Sequence, residues 1–350
     1  MPMHHFIRPS GPIRWIFDKL KSSEPWTVIG SLSPEDRCLA AAREVLGLSA
    51  DSKATLLKLA PFAARGDAEV KARLTKKEAE AVRSFGERIT IRPEQPLHAS
   101  DHEVLVDVQA VVDQLHGKVI VDISTMPKRW FIPLVRELVE RPEIHTLVAT
   151  NSKPQKYSDD RLATDADSWE PLPGYLHAER RASETTAIIG VGYHTLNLHE
   201  FIGENTIGKM SLKLFLPFPS LHPGFRQNWE FVRDVTTAWD GVARPEIVRV
   251  PTDDVSLIFD RLIQQSHGGR AESLVMAPFG PKTVSLAMCL LAIARDRINP
   301  EVETEIGYTQ PKAYASDYSS GVAKRDGVPV VNAYCIRIQG RSFYDGLPLD

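Results

Sequence analysis

Apolar residues in this chain fall into two alternating patterns. Short near-continuous runs rich in Val, Ile and Leu (TVIGS, KATLLKLA, KVIVDIS, HTLVATN) have the character of strands buried on both faces of a parallel sheet. Between them, apolar residues recur three and four apart among charges, the period of amphipathic helices. The strand TVIGS ends at Gly30-Ser31. It is followed by a predicted helix over SPEDRCLAAAREVLG, with Ser33 as N-cap, Pro34 at N1 and Asp36 at N3. Next come the strand KATLLKLA, an exposed charged helix over about 68–87, the strand ERITIRP and a helix at about 101–116. KVIVDIS leads into a helix from Pro127 to about Glu140, then HTLVATN.

The same order then recurs. TAIIGVGYH, KMSLKLFLPF, a helix within 225–239, PEIVRVP, the helix DDVSLIFDRLIQQS, SLVMAPF, a helix from Pro281 to about Arg297 and EIGYTQP follow one another. Similarity at the residue level marks this as an internal repeat. KATLLKLAPF begins at Lys53 and KMSLKLFLPF at Lys209, an offset of 156. Pro127-Lys128 and Pro281-Lys282 open matching helices at an offset of 154. The loops Pro154–Tyr157 and Pro311–Tyr314 share the pattern Pro-x-x-Tyr at an offset of 157.

Strands alternating with helices imply right-handed βαβ units. The expected fold is therefore α/β: two tandem Rossmann-like parallel-sheet domains from a duplication, packed as a pseudo-dimer. The expected boundaries are an N-terminal extension at 1–26, a first domain at 27–160 and a polar linker at 161–184. A second domain at 185–326 and a C-terminal edge strand with a tail at 327–350 complete the chain.

Composition narrows the classes of function. A length of 350 residues suits two domains, and 43% hydrophobic with 25% charged residues is ordinary for a globular protein. A formal charge of −3 provides no global basic field, so bulk DNA or RNA binding is not expected. Three scattered cysteines make neither a zinc pattern nor a disulfide framework, which suits a reducing cytoplasm. The start lacks the apolar run of a signal peptide, and no stretch approaches a membrane span. His194 and His199 are five apart, which is not metal-ligand spacing on a helix. Gly190-x-Gly192 lacks the third glycine of a dinucleotide fingerprint, and no Walker A, G-x-S-x-G or H-E-x-x-H pattern occurs. The sequence thus implies no cofactor and no metal.

Ligands of open parallel sheets bind beyond the carboxyl ends of the strands. Pro127-Lys128 and Gly280-Pro281-Lys282 stand there, where free helix amides and the helix dipole favour an anion. Lys128, Arg129 and Lys282 would add full positive charges. The first copy also brings Asp122, Ser124 and Thr125, against ordinary capping or buried-carboxylate roles for the same residues. The first-strand loops add Gly30 and Ser31 in one copy and Tyr193 in the other. Tyr157 and Tyr314 of the Pro-x-x-Tyr loops would stack on a base or bond a phosphate.

The element strand-DISTMPK-helix resembles the signature of CRISPR-associated Rossmann-fold (CARF) domains, with Met126-Pro127 in place of that turn's usual paired glycines. Its duplication is similar to the fused CARF-like pairs of SAVED sensor domains. The resemblance implies cyclic or linear oligonucleotide messengers as ligands, in antiviral defence. Three functions stay open: a cytosolic sensor binding a nucleotide, oligonucleotide or other phosphorylated ligand; an enzyme acting on one, with Asp122, Ser124 or Lys128 in the chemistry; and a non-catalytic adaptor with a protein partner from the same operon.

Overall fold

The computed structural model describes residues 8–20, 24–60, 67–158, 163–176, 184–204, 209–220, 224–239, 243–314 and 318–347. The chain folds into two compact units, Met1–Leu162 with Ala313–Phe343, and Ala163–Lys312 with Tyr344–Asp350.

In the first unit, five parallel strands occur in the chain order Trp26–Leu32, Lys53–Ala60, Ile89–Ile91, Lys118–Asp122 and Thr146–Ser152. Their spatial order is third, second, first, fourth, fifth. Register is fixed by Val28 opposite both Ala54 and Ile120, and by Val121 opposite Ala149. In the second unit, Glu184–Gly190, Lys209–Pro217, Glu246–Val250, Ser273–Ala277 and Glu303–Tyr308 repeat that order, again parallel throughout. This order, with its reversal beside the first strand, is the Rossmann-like half. The repeat in sequence is a repeat in fold.

Alternation along the strands explains the packing. Val28, Leu56, Ile120 and Val148 share a core with Leu39, Val45 and Leu46. Ile29, Val121 and Ala149 point to the opposite face and are also buried. The helix Lys128–Glu140 contains Pro133, whose missing N–H and ring cost about 3 kcal/mol in a helix interior. Trp130, Phe131, Leu134, Val135 and Leu138 are buried along the same helix. At about 1.5–3 kcal/mol each, their burial outweighs the proline.

Several boundaries differ from expectation. Ser33 does not cap a helix. Its Oγ accepts the Glu35 amide, residues Asp36–Leu39 form a single 3-10 turn, and the α-helix begins at Ala40. Pro127 and Pro281 stand at the N-cap, one place before N1, with ψ of 148° and 155°. The helix Asp101–Val112 stops short of His116, and Ser100 and Glu103 close a capping box at its start.

The largest correction concerns the termini. Val331–Ile338 is not an edge strand. It runs antiparallel to Thr146–Ser152 on one side and to Ser10–Pro12 on the other. Val331, Ala333 and Cys335 enter the first unit's core, as do Ile13 and Ile16 from the supposed N-terminal extension. Arg337 is buried and donates to the carbonyls of Val139, Arg141 and Ile144, at 2.5, 2.7 and 2.8 Å, sealing the end of the helix Lys128–Glu140. The second domain therefore does not extend to residue 326.

The expected linker is also folded in its described part. Glu170–Pro171 pairs antiparallel with Glu303–Tyr308, and Trp169, Leu172 and Tyr175 are buried. Trp169 donates its indole N–H to Glu305 and stacks on Phe201. Among the described residues, no helix is long and apolar enough to cross a membrane.

Candidate functional site

The strand order reverses between the first and fourth strands of each repeat, and the crevice beyond their carboxyl ends is where such sheets bind ligands. In the first unit that position is spanned by side chains. Ser31, near the end of Trp26–Leu32, meets Thr125 of the turn after Lys118–Asp122, with their hydroxyl oxygens 3.0 Å apart. Thr125 also reaches the Ser31 carbonyl at 3.3 Å. Thr125 is half-buried, so this pair borders solvent. Gly30 serves packing: a Cβ there would lie 3.3 Å from Leu56 and 3.6 Å from Asp122.

Asp122 and Ser124 lie behind that surface, buried at 3% and 0% exposure. Oδ1 of Asp122 accepts the Ser124 amide at 3.2 Å, the Ser124 hydroxyl, and the Thr150 hydroxyl at 3.2 Å. The Ser124 oxygen in turn accepts the Ser152 amide at 2.7 Å. These bonds lock the DIST turn to the neighbouring strand. Burial pushes the Asp122 carboxyl up to about 6, against the lowering effect of Ser124, Thr150 and Arg37. Both residues shape the turn from inside, and of the turn's hydroxyls Thr125 is the one that borders solvent.

Lys128 opens its helix and is largely buried. The Pro127 carbonyl takes the amides of Trp130 and Phe131 at 3.0 and 2.9 Å, the first bonds of that helix. Arg129 is engaged elsewhere. It donates to the Ala99 carbonyl at 2.8 Å and pairs with Asp101 at 2.5 Å, tying two helix starts together. The expected phosphate role of Arg129 therefore conflicts with its bonds.

A cation that the motif search passed over stands near the turn instead. Arg37, on the 3-10 turn after the first strand, is buried and donates to the Ser152 carbonyl at 3.3 Å. Its Nε and Nη2 both meet Oε2 of Glu35 at 3.0 Å. Burial opposes its charge, but Glu35 holds the guanidinium above its ordinary value. The signal was present in the sequence: an arginine directly before the wholly apolar stretch Cys38–Ala42 sits on a helix side that has to be buried.

A chain of three tyrosines starts at Arg37. Tyr157 lies with its ring 5.9 Å from the guanidinium and meets Tyr318 edge to face at 6.1 Å; Tyr318 meets Tyr314 likewise at 5.9 Å. Burial, with Tyr157 and Glu35 beside it, pushes the Tyr318 hydroxyl well above the usual phenol range. Tyr314 was expected on the second copy's rim, but it belongs to the first unit. Asp36 was read as a capping acid. Its carboxylate instead accepts Lys77 Nζ and the Gly321 amide, each at 2.9 Å.

The equivalent place in the second unit is filled by backbone. A Cβ on Gly280 would lie 3.0 Å from the Val191 carbonyl oxygen, and one on Gly190 would lie 3.2 Å from the Gly280 nitrogen. A Cβ on Gly192 would lie 3.0 Å from the carbonyl carbon of Phe279 and closer still to its oxygen. The Gly192 carbonyl is bound by buried Asn228 at 2.8 Å, and Tyr193 packs over Gly224. Glycine here lets two loops touch main chain to main chain. Lys282 opens the helix Lys282–Ile298 beside this contact, half-buried.

No family model matches the chain. No curated protein sequence matches it. Among solved structures, the chain is similar to "PlmKR1-Ketoreductase from the first module of phoslactomycin biosynthesis in Streptomyces sp. HK803", with 13% identity and a TM-score of 0.23. That match covers 84% of this chain and 72% of the ketoreductase. With so low a score, the Rossmann-like assignment rests on strand order and direction.

Proposed function

We propose that this protein is a sensor-type binder of a nucleotide, oligonucleotide or other phosphorylated ligand, held at the carboxyl end of the first unit's sheet. One observation carries the reading: the hydroxyls of Ser31 and Thr125 meet over the strand reversal, beside the start of the helix opened by Lys128. Hydroxyl donors, helix amides and a lysine suit phosphate oxygens, and the tyrosines nearby suit a base. The cytosolic setting and the role in antiviral defence implied by the CARF/SAVED resemblance belong to this reading. Binding is favoured over catalysis because Asp122 and Ser124 are buried and hydrogen-bond to each other, to Thr150 and to the Ser152 amide. The backbone closure of the second unit favours a ligand bound one-sidedly.

Thermal unfolding with a panel of nucleotides and of cyclic and linear oligonucleotides tests the proposal. A ligand at about 100 times its Kd stabilises by about 2.7 kcal/mol, a plain upward shift in Tm. Thr125→Val should abolish the shift; it also takes a partner from the buried Ser31 hydroxyl, so the free protein's Tm falls modestly and the shift is read against the variant's own baseline. No shift with any member of the panel, or an undiminished shift in Thr125→Val, would remove the basis for this site.

A further inference from the structure

Oε2 of Glu35 is unusual in the company it keeps. This one oxygen takes Arg37 Nε, Arg37 Nη2 and the Ser319 hydroxyl. Two guanidinium donors and a hydroxyl converging on a single oxygen are what a phosphate oxygen receives in an arginine-based site. Close by, the Ser152 hydroxyl is fully buried and has no hydrogen-bond partner among the described residues, although its amide and carbonyl are both engaged. A buried hydroxyl left unpaired is costly, so the residue that anchors Arg37 carries donor capacity that the described residues do not use.

The parts differ in how firmly they are held. Arg37 is anchored at its far side by the Ser152 carbonyl and sits on a hydrogen-bonded turn. Glu35 precedes that turn in extended backbone, at φ −72° and ψ 143°, and its side chain is 11% exposed. Rotation of Glu35 toward solvent would leave the guanidinium in place. Asp122 is the acidic group on the inner side, and its Oδ1 charge is already spread over Ser124 and Thr150.

We infer that Arg37 forms an anion subsite for a phosphate group, and that Glu35 is a built-in competitor that occupies it, and holds the Ser319 hydroxyl, when no ligand is bound. The inference rests on the reading of this rim as phosphate-binding, and it adds the regulation of that site. Ser319 lies on the segment that pairs with Lys156–Tyr157, and the adjoining Gly321 amide is held by Asp36. Displacing Glu35 therefore breaks a side-chain tie between the first-strand loop and the 318–321 segment. Ligand arrival is converted into release of that segment.

Pyrophosphate is the probe, titrated calorimetrically into the full chain. Glu35→Gln removes the competing charge and keeps the side chain's size, so pyrophosphate should bind about tenfold or more tightly than to the wild type, the worth of one charged hydrogen bond. Adding Arg37→Met to that variant should abolish the gain. Unchanged or weaker affinity in Glu35→Gln, or a gain that survives Arg37→Met, would overturn the inference. Should Glu35→Gln fail to fold, hydrogen exchange on the wild type decides. Faster exchange at 318–321 with pyrophosphate supports the latch, and unchanged or slower exchange refutes it. If nucleotides shift the wild type while Glu35→Gln gains nothing, this inference fails and the proposed function stands. If no phosphate-bearing probe binds either protein, both fall.

Discussion

At the scale of single residues, Asp122 sets how the turn responds to pH. Its carboxyl stands near 6 in the folded chain against an ordinary 3.8, with burial as the main cause. A raised acid works against folding once it must ionise. Below pH of about 4 both states hold the proton and nothing is lost. Between about 4 and 6 the unfolded chain releases its proton first, so stability falls as pH rises, levelling at a loss of about 3 kcal/mol. Asp122→Asn has no such titration and can still accept from Ser124 and Thr150. Urea unfolding across that window should show the variant gaining on the wild type by up to about 3 kcal/mol; a flat difference would place the carboxyl's folded value near the ordinary one. Asp122 was legible in the sequence as the polar end of a buried apolar run. Its inward direction was not, because the partner Thr150 is supplied by a strand 28 residues away. Arg37 was missed for the opposite reason: it belongs to no motif, and only its apolar neighbours show that it is buried.

At the scale of elements, the two repeats put different chemistry at one topological point. Hydroxyls meet across the strand reversal in the first, and glycines let main chain meet main chain in the second. Gly192→Ala tests whether that closure is structural. Its Cβ would overlap the Phe279 carbonyl, which lies in a tight turn with the Phe279 amide bonded to Ala277 at 3.0 Å and so yields little. The expected cost is about 1–3 kcal/mol, read from chemical unfolding, with any ligand-induced Tm shift at the first unit retained. Loss of ligand binding with stability unchanged would instead give Gly192 a ligand-binding role. Strands and helices were legible here because period and apolar runs are local properties. Lys53–Ala60 coincides with KATLLKLA, and the helix Asp67–Phe85 begins within a residue or so of the expected start. The helices at Pro127 and Pro281 start one residue later than expected, a shift within the one or two residues by which helix ends are defined.

At the scale of the whole molecule, the first unit is assembled from two stretches of chain separated by Ala163–Lys312 of the second unit. An alternating run near a C-terminus reads as a strand, but nothing in its own residues names its neighbours. Val331–Ile338 carries Tyr334 and Cys335 at 1% and 0% exposure, and that degree of burial distinguishes an interior strand from an edge one. Ending the chain after residue 326, where the sequence pattern put the domain boundary, should therefore cost the first unit its fold. The cut would expose Leu147, Val148 and Ala149 along the strand Thr146–Ser152, strand Ser10–Pro12 would lose its partner, and three carbonyls would lose Arg337. Each buried aliphatic or aromatic side chain removed from water is worth about 1.5–3 kcal/mol, and a domain's whole stability is about 5–15 kcal/mol. Limited proteolysis of the shortened chain should digest residues 8–158 rapidly and 184–312 more slowly, since the second unit keeps its five strands and loses Tyr344 from against Phe259 and the Arg297–Asp345 pair. Joining 8–158 to 313–343 through a flexible Gly/Ser linker should restore a resistant first unit without the second. Equal resistance of both units in the shortened chain would mean that the five parallel strands hold without their antiparallel neighbour, and that Val331–Ile338 covers the sheet rather than completing it.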